Sequence, residues 1–371
     1  MPELPEVEAM RKQVDRQLRG TTITIVNARE QGGGPRNGKY DSIVIGDRIK
    51  EQKFVQTLQD RKIVAVKRRG KQIWLELSGN GPHLLIHCGM TGCLSVEGAK
   101  KMKFQYFGKG EEWPPRFTKL MLVCKKKGGK ANKRLAFFDP RRLGRVLLRD
   151  QPLEQPPISS LAPDPLVSLP PLKHFSEVLS TSTMPVKALL LDQSKLVCGV
   201  GNWVADEVLH KAGIHPAAIA KTLSEAQIAS LRRSLFSVVQ TAVKVDADAD
   251  RFPKSWLFHR RWEAGTRRKE IQLPNNGGTM VFRTVGGRTT ALVPAKQAMG
   301  ELGRQGSGPR RGQQQQQQRQ QRQKQTQKER QRKPGNTRKR VQKSHQKTPA
   351  RTRNLTKTKP NMSVMKAKRG R

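Results

Sequence analysis

The chain begins Met1-Pro2-Glu3-Leu4-Pro5-Glu6-Val7-Glu8, and residues of these types can do covalent chemistry. Aminopeptidases remove a first methionine when the next residue is small, and Pro2 then carries a free secondary amine. An α-amino group titrates near ~8, against ~10.4 for a lysine, so much of it is unprotonated at neutral pH. Such an amine attacks an aldehyde carbon and forms an iminium ion. Glu3 and Glu6 put two carboxyl groups within one helical turn of it, where they can give or take protons. The same residues also suit an ordinary helix start, since proline is favoured in the first turn and acids complement its positive end. Taken alone, the segment fits a helix cap better than a nucleophile.

A nucleophile needs a frame, and the patterning supplies one. Leu4, Val7, Val14 and Leu18 recur near helical spacing, and Gly20 can end that helix. Strand patterns follow at Thr21–Val26, Ile63–Val66, Gln72–Leu77, Leu84–His87, Lys119–Cys124, Arg134–Phe138 and Arg145–Leu148. Many short strands behind one helix predict an α+β chain whose first domain, residues 1–150, is a β-sandwich. The stretches Glu30–Asn37 and Ala99–Pro115 read as long loops. Residues 151–173, rich in proline and leucine, read as a linker. Helical patterns dominate 174–270. One helix is expected near Trp203–Ala212, ended by Gly213, and another is capped by Ser224, with Ile228, Leu231, Leu235, Val238 and Ala242 on one face. Within 271–295, Thr279–Thr284 and Thr289–Val293 flank Val285-Gly286-Gly287-Arg288, a hairpin with Arg288 at or near its tip.

Composition bounds the partners. The 371 residues hold 73 Lys+Arg against 29 Asp+Glu, a net charge of +44, which implies a polyanion, nucleic acid first and an anionic membrane second. No apolar run is long enough for a transmembrane helix. The N-terminus lacks the apolar core of a secretory signal. The four cysteines, Cys88, Cys93, Cys124 and Cys198, contain no CxxC pair and fit a reduced intracellular protein. Residues 301–371 alone carry 23 Lys+Arg against Glu301 and Glu329, with no Phe, Trp or Tyr and a glutamine run from Gln313 to Gln318. Such a segment cannot bury enough apolar surface to offset chain entropy, so 296–371 is expected to be a disordered basic tail. Its uses would be nonspecific phosphate contact and, through Arg338-Lys339-Arg340, import into the nucleus.

Separated segments then agree in order with one family. The start MPELPEVE, RRGK (Arg68–Lys71), HCGMTG (His87–Gly92), DPRRLG (Asp139–Gly144) and KLVCGVGNWVADE (Lys195–Glu207) resemble the formamidopyrimidine-DNA glycosylase/endonuclease VIII family over roughly residues 1 to 295. The segment Gly286-Gly287-Arg288-Thr289-Thr290-Ala291, with Trp256–Trp262 before it, looks closest to the plant and fungal branch, whose members lack the zinc finger.

The resemblance implies base-excision repair on damaged double-stranded DNA by a monomer, without a cofactor. It makes Pro2 the nucleophile at C1′ of the damaged nucleotide, Glu3 the proton-handling group at the sugar ring oxygen, and Glu6 a support for the terminus. The iminium acidifies the C2′ proton, and β then δ elimination releases the sugar. Lys71 corresponds to the lysine gripping the phosphate beside the lesion, although the run Lys67-Arg68-Arg69-Gly70-Lys71 by itself reads as a solvated charge run. Asn202 corresponds to a phosphate ligand at a tight glycine turn whose backbone amides suit an anion. The helix after it completes what resembles a helix–two-turns–helix element. Met90, Arg141 and Leu143 match the residues that fill the gap left by an extruded base, which costs a few kcal/mol to unstack. Without the family, Met90 and Leu143 read as core residues. Arg288 matches the finger arginine that enters the minor groove.

No cysteine follows Cys198, so a four-cysteine zinc finger is impossible and a zincless β-hairpin must hold Arg288 by packing. His83, His87, Cys88 and Cys93 are an improbable zinc set, because adjacent strand residues His87 and Cys88 face opposite ways. The acidic segment Val243–Pro253 does not resemble the loop that covers 8-oxoguanine in bacterial members. Formamidopyrimidines, hydantoins and abasic sites are therefore expected ahead of 8-oxoguanine. The rival expectation is a noncatalytic damaged-DNA-binding protein of the same fold.

Overall fold

Helix α1 (Leu4–Leu18) joins two hydrophobic cores. Val7, Met10, Val14 and Leu18 share a helical face and belong to the core of the β-sheet domain. Leu4, one turn earlier, belongs to the core of the helical domain. The first turn of the chain is therefore fixed where the two cores meet. This arrangement is seen in a computed structural model that describes residues 2–104, 113–126, 128, 132–265 and 270–298. The expected basic tail, beyond its first three residues, and part of the loop expected at 99–115 lie outside the described residues.

All seven strands expected in the first domain are present, and with an eighth, Cys93–Val96, they form two antiparallel four-stranded sheets. One has the order β1 (Thr21–Asn27), β6 (Thr118–Lys126), β7 (Asn132–Phe138), β5 (Cys93–Val96). The other has the order β2 (Ile63–Arg69), β3 (Gln72–Leu77), β4 (His83–His87), β8 (Arg145–Arg149). Ile23, Leu122 and Leu135 of the first sheet and Ile73, Leu84 and Ile86 of the second share one core, which makes the pair a sandwich. Two elements carried too little pattern to be read. Strand β5 is four residues long and buried throughout, so it shows no alternation. Helix α2 (Glu51–Leu58) buries only Phe54 and Leu58, a single helical pair.

Strand β2 runs through Arg69, three residues further than its apolar pattern. The basic run is thus part of a strand, and Arg68 is not solvated. It is 7 % exposed, bonded to Glu8 at 2.9 Å and paired with Asp164. Residues Gln151–Pro171 contain no helix or strand, yet Ile158 and Asp164 are buried, so the proline-rich segment is packed down.

The second core gathers α3 (Leu172–Thr181), α4 (Val186–Leu191), α5 (Asn202–Ala212) and α6 (Glu225–Lys244). Ser224 caps α6 reciprocally: its hydroxyl accepts from the Gln227 N–H and its own N–H donates to Gln227 Oε1. Gly213 ends α5 in the left-handed conformation, φ 70°. A three-stranded sheet of β9 (Glu270–Gln272), β10 (Thr279–Val285) and β11 (Arg288–Leu292) follows. Val285 pairs with Arg288 across Gly286 and Gly287, both at positive φ, which is a two-residue primed turn. Arg288 stands exposed at its edge, as the glycine pair predicts. No helix among the described residues is long and apolar enough to cross a membrane.

Candidate active site

The N-terminus is seated by its own carboxylates. Glu3 is 2 % exposed, and its two oxygens accept the backbone N–H groups of Trp203, at 2.9 Å, and Val204, at 3.0 Å. These amides are orphan donors in the first turn of α5, where the helix dipole favours a negative charge. The anion expected at this helix start falls on the Gly199–Asn202 turn; Glu3 takes the next two amides, those of Trp203 and Val204. The glycines of the turn make the approach possible. A Cβ on Gly201 would lie 2.2 Å from the Glu3 carboxyl carbon, and one on Gly199, already at φ +89°, would lie 2.6 Å from Leu4 Cδ1. The Leu4 N–H closes the joint by donating to the Gly199 carbonyl at 3.0 Å.

Glu6 completes the seat. One of its oxygens accepts the Glu3 N–H at 3.0 Å and the other accepts the Trp203 indole N–H at 2.9 Å. Burial raises the Glu3 carboxyl, while Lys71 and the two backbone donors oppose the rise. Burial, then the neighbouring Glu3 charge, pushes Glu6 up to about 8. At neutral pH the pair thus keeps a proton beside Pro2.

Lys71 lies just past β2, where its ammonium donates to the Val200 carbonyl at 2.8 Å. Burial lowers its pKa against the opposing charge of Glu3. Asn202 opens α5, and its Nδ2 donates to the Thr289 carbonyl at 2.9 Å, tying the helix to the strand that carries Arg288. Pro2, Glu3, Glu6, Lys71 and Asn202 are therefore brought to one place by α1, the β2–β3 turn and the start of α5.

The gap-filling candidates lie on two loops. Met90 is 36 % and Leu143 42 % exposed, and Arg141 is exposed, so neither hydrophobe is a core residue. Met90 lines the same cavity of about 170 Å3 as Pro2 and Glu6. Asp139, fully buried, couples the loops by accepting from the Thr91 hydroxyl at 2.8 Å, the Arg141 N–H at 3.2 Å and the Gly144 N–H at 2.6 Å. Gly89 at φ +60° lets them touch, since a Cβ there would lie 2.4 Å from the Leu143 carbonyl carbon. Arg142 forks onto Asp41 at 2.7 and 2.9 Å. Sequence reasoning gave Asp139 and Arg142 no task, although both stand in the quoted DPRRLG segment.

The hairpin is fixed by buried charge. Lys187 and Asp206, both fully buried, pair at 2.6 Å. Lys187 also donates to the Thr290 hydroxyl at 2.7 Å, and Asp206 accepts from Arg261 at 2.8 Å and from the Ala291 N–H at 3.1 Å. Burial lowers Lys187, with the Asp206 charge opposing. Sequence reasoning assigned packing to this hairpin and named none of the three residues. Among the described residues no three His, Cys, Asp or Glu side chains gather as metal ligands. Of the zinc set considered, His83 and His87 each use Nδ1 to accept a backbone N–H.

Comparison with known proteins places this geometry. Residues 1–146 match the formamidopyrimidine-DNA glycosylase N-terminal domain, and residues 161–254 match the helix–two-turns–helix (H2TH) domain of the same enzyme. The chain is 35 % identical over 301 residues to formamidopyrimidine-DNA glycosylase of Arabidopsis thaliana, covering 81 % of this chain and 71 % of the relative. It is 31 % identical over 311 residues to that of Thermus thermophilus, covering 81 % of this chain and all of the relative. The crystal structure of the Thermus protein superposes with a TM-score of 0.58 over 81 % of this chain and all of that one. That of the Lactococcus lactis enzyme, bound to DNA containing an abasic site, does so at 0.61, with 25 % identity over 80 % of this chain and all of that one. The chain belongs to the formamidopyrimidine-DNA glycosylase family.

Proposed function

We propose that this protein is a bifunctional DNA glycosylase and abasic-site lyase that removes oxidised bases through the amine of Pro2. The observation that carries the reading is the seating of Pro2. Its neighbour Glu3 is clamped by two amides at the start of α5, with Lys71 and Glu6 around it. That arrangement sets an amine beside two carboxyls whose pKa values are raised, one to about 8. Once Met1 is removed, the amine attacks C1′ of the damaged nucleotide. Glu3 hands a proton to the sugar ring oxygen as the ring opens, and the base departs. The iminium then lets β and δ elimination cut the strand on both sides. Lys71, Asn202 and Arg288 hold phosphates through this sequence, and Met90, Arg141 and Leu143 fill the vacated stack.

Substrates are formamidopyrimidines and hydantoins ahead of 8-oxoguanine, acted on in duplex DNA by a monomer in the nucleus. The hairpin holds Arg288 without zinc. The rival is a noncatalytic binder of damaged DNA with the same fold. Borohydride separates the two. The mature protein is expected to be trapped covalently on damaged duplex, and Pro2→Gly to suppress trapping. Equal trapping by protein that retains Met1 sinks the mechanism. Loss of activity in EDTA sinks the zincless reading.

A further inference from the structure

The cavity beside Pro2 is walled by aromatic rings. Trp203 stands at the Glu6 end, held by its indole N–H. Phe258 meets Trp203 edge-on at 5.0 Å, and Trp262 meets Phe258 edge-on at 5.6 Å. All three line the cavity. Trp262 is 60 % exposed, the most solvated ring of the series. An indole left in water forgoes the stabilisation of burial, about 25 cal/mol per Å2 of apolar surface. Trp262 is nevertheless held in place. The Arg261 guanidinium lies 4.8 Å from its ring centroid, a cation–π distance, and Arg261 is 9 % exposed and anchored on Asp206. The acidic segment that follows α6 does not compete for this position. Lys12 ties it to α1 through Asp246 at 3.0 Å and the Val243 carbonyl at 3.1 Å, and no residue from Val243 to Arg251 lines the cavity.

We propose that Trp262 is the platform on which the extruded base stacks, and that base recognition here is by aromatic face. The idea rests on the reading that a base is extruded beside Pro2. Every base has a π-face, and stacking on an aromatic side chain contributes about 1–3 kcal/mol per base. A formamidopyrimidine keeps its six-membered ring and can use the platform. An abasic sugar has nothing to stack.

The test compares two duplexes, one with a single formamidopyrimidine and one with a stable abasic analogue. Binding is measured with full-length Pro2→Gly protein, so the result does not depend on excision. Trp262→Ala is expected to lower the ratio of lesion affinity to abasic affinity by roughly 5- to 150-fold, and Trp262→Phe to restore most of it. Excision by protein with Pro2 intact should fall in step. If Trp262→Ala weakens both duplexes equally, Trp262 merely supports the site and the proposal is overturned. An unchanged ratio overturns it as well. Failure of the wild-type protein to cut either a lesion or a natural abasic site would instead refute the enzymatic reading, and the binding ratio would still decide the stacking.

Discussion

The N-terminus and the hairpin each present one candidate functional group, Pro2 and Arg288, by opposite means. The N-terminus is held by neutral donors meeting carboxyl oxygens, the Trp203 and Val204 backbone N–H groups on Glu3, and the Glu3 N–H and Trp203 indole N–H on Glu6. The hairpin is held by full charges in a buried interior, Lys187, Asp206 and Arg261, drawn from three separate elements. The first device leaves its groups poised to exchange protons. The second is a rigid anchor, because a buried ion pair that loses one partner leaves an uncompensated charge. Damage to the first should therefore remove chemistry and keep the fold. Damage to the second should loosen structure before chemistry is touched.

The largest expected effect is at Glu3. Glu3→Gln keeps one acceptor for the Trp203 and Val204 N–H groups and turns its amide nitrogen on the other, so unfolding should lose about 1–3 kcal/mol, while single-turnover excision falls about 10²–10⁴-fold, the usual worth of a positioned acid–base group. A loss of stability that matches the loss of rate would erase the contrast. Next comes Asp206→Ala, which strands Lys187 and Arg261. It should cost about 3–5 kcal/mol in denaturant unfolding. Hydrogen exchange should speed first along 279–292. Uniform exchange across both domains would show that the cluster supports the whole fold.

How much could be read in advance follows the same division. The N-terminal seat was legible because Pro2, Glu3 and Glu6 sit within one turn and helical spacing brings them together. Its counterpart, the Gly199–Asn202 turn, was legible as a glycine turn, but nothing local shows that the two amides after it, of Trp203 and Val204, take Glu3. The sandwich was legible from alternation, except where β5 is buried on both faces. The hairpin tip was legible from its two glycines, but not its anchor. Lys187 lies in a short apolar stretch, Asp206 within a helix and Arg261 among other basic residues, and each alone looks like a surface charge. Arg68 misled in the same way. Only the fold supplies Glu8 and Asp164 as its partners. Trp262 carried no period at all, and its place at the cavity is a tertiary fact.

A pH titration sharpens the comparison, because each region holds a buried carboxyl pushed up to about 8. Glu6 serves the N-terminus, and Glu207 lies on α5 beside Asp206, accepting the Phe258 N–H at 3.2 Å. Burial first, with the neighbouring Glu3 charge for Glu6 and that of Asp206 for Glu207, pushes each up to about 8. Both stay protonated in the folded chain while the unfolded chain ionises them near 4.5, so the folded state binds more protons and stability falls as pH rises from about 4.5 to about 8. His87 and His210, lowered by burial to about 4, act oppositely, but only below their ordinary 6.5. Between pH 6.5 and 8 the carboxyls should dominate. Glu207→Gln is expected to remove on the order of 1 kcal/mol of that fall across the window, and Glu6→Gln a similar amount. A slope untouched by Glu207→Gln would mean that the helix side of the site holds its carboxyl ionised.

The smallest effect is at Arg288, where the two devices meet in function. It is exposed at the hairpin edge, so Arg288→Ala should leave unfolding within about 0.5 kcal/mol of wild type. On undamaged duplex it should weaken binding nearly uniformly across sequences and reduce the salt slope by about one. Comparison with Asp206→Ala then separates the anchor from its cargo. If hairpin order exists to present Arg288, the two variants should share the same loss of salt slope, although only Asp206→Ala loses stability. A full salt slope in Asp206→Ala would show that Arg288 finds its phosphate without the buried cluster, and that the cluster serves α5 instead.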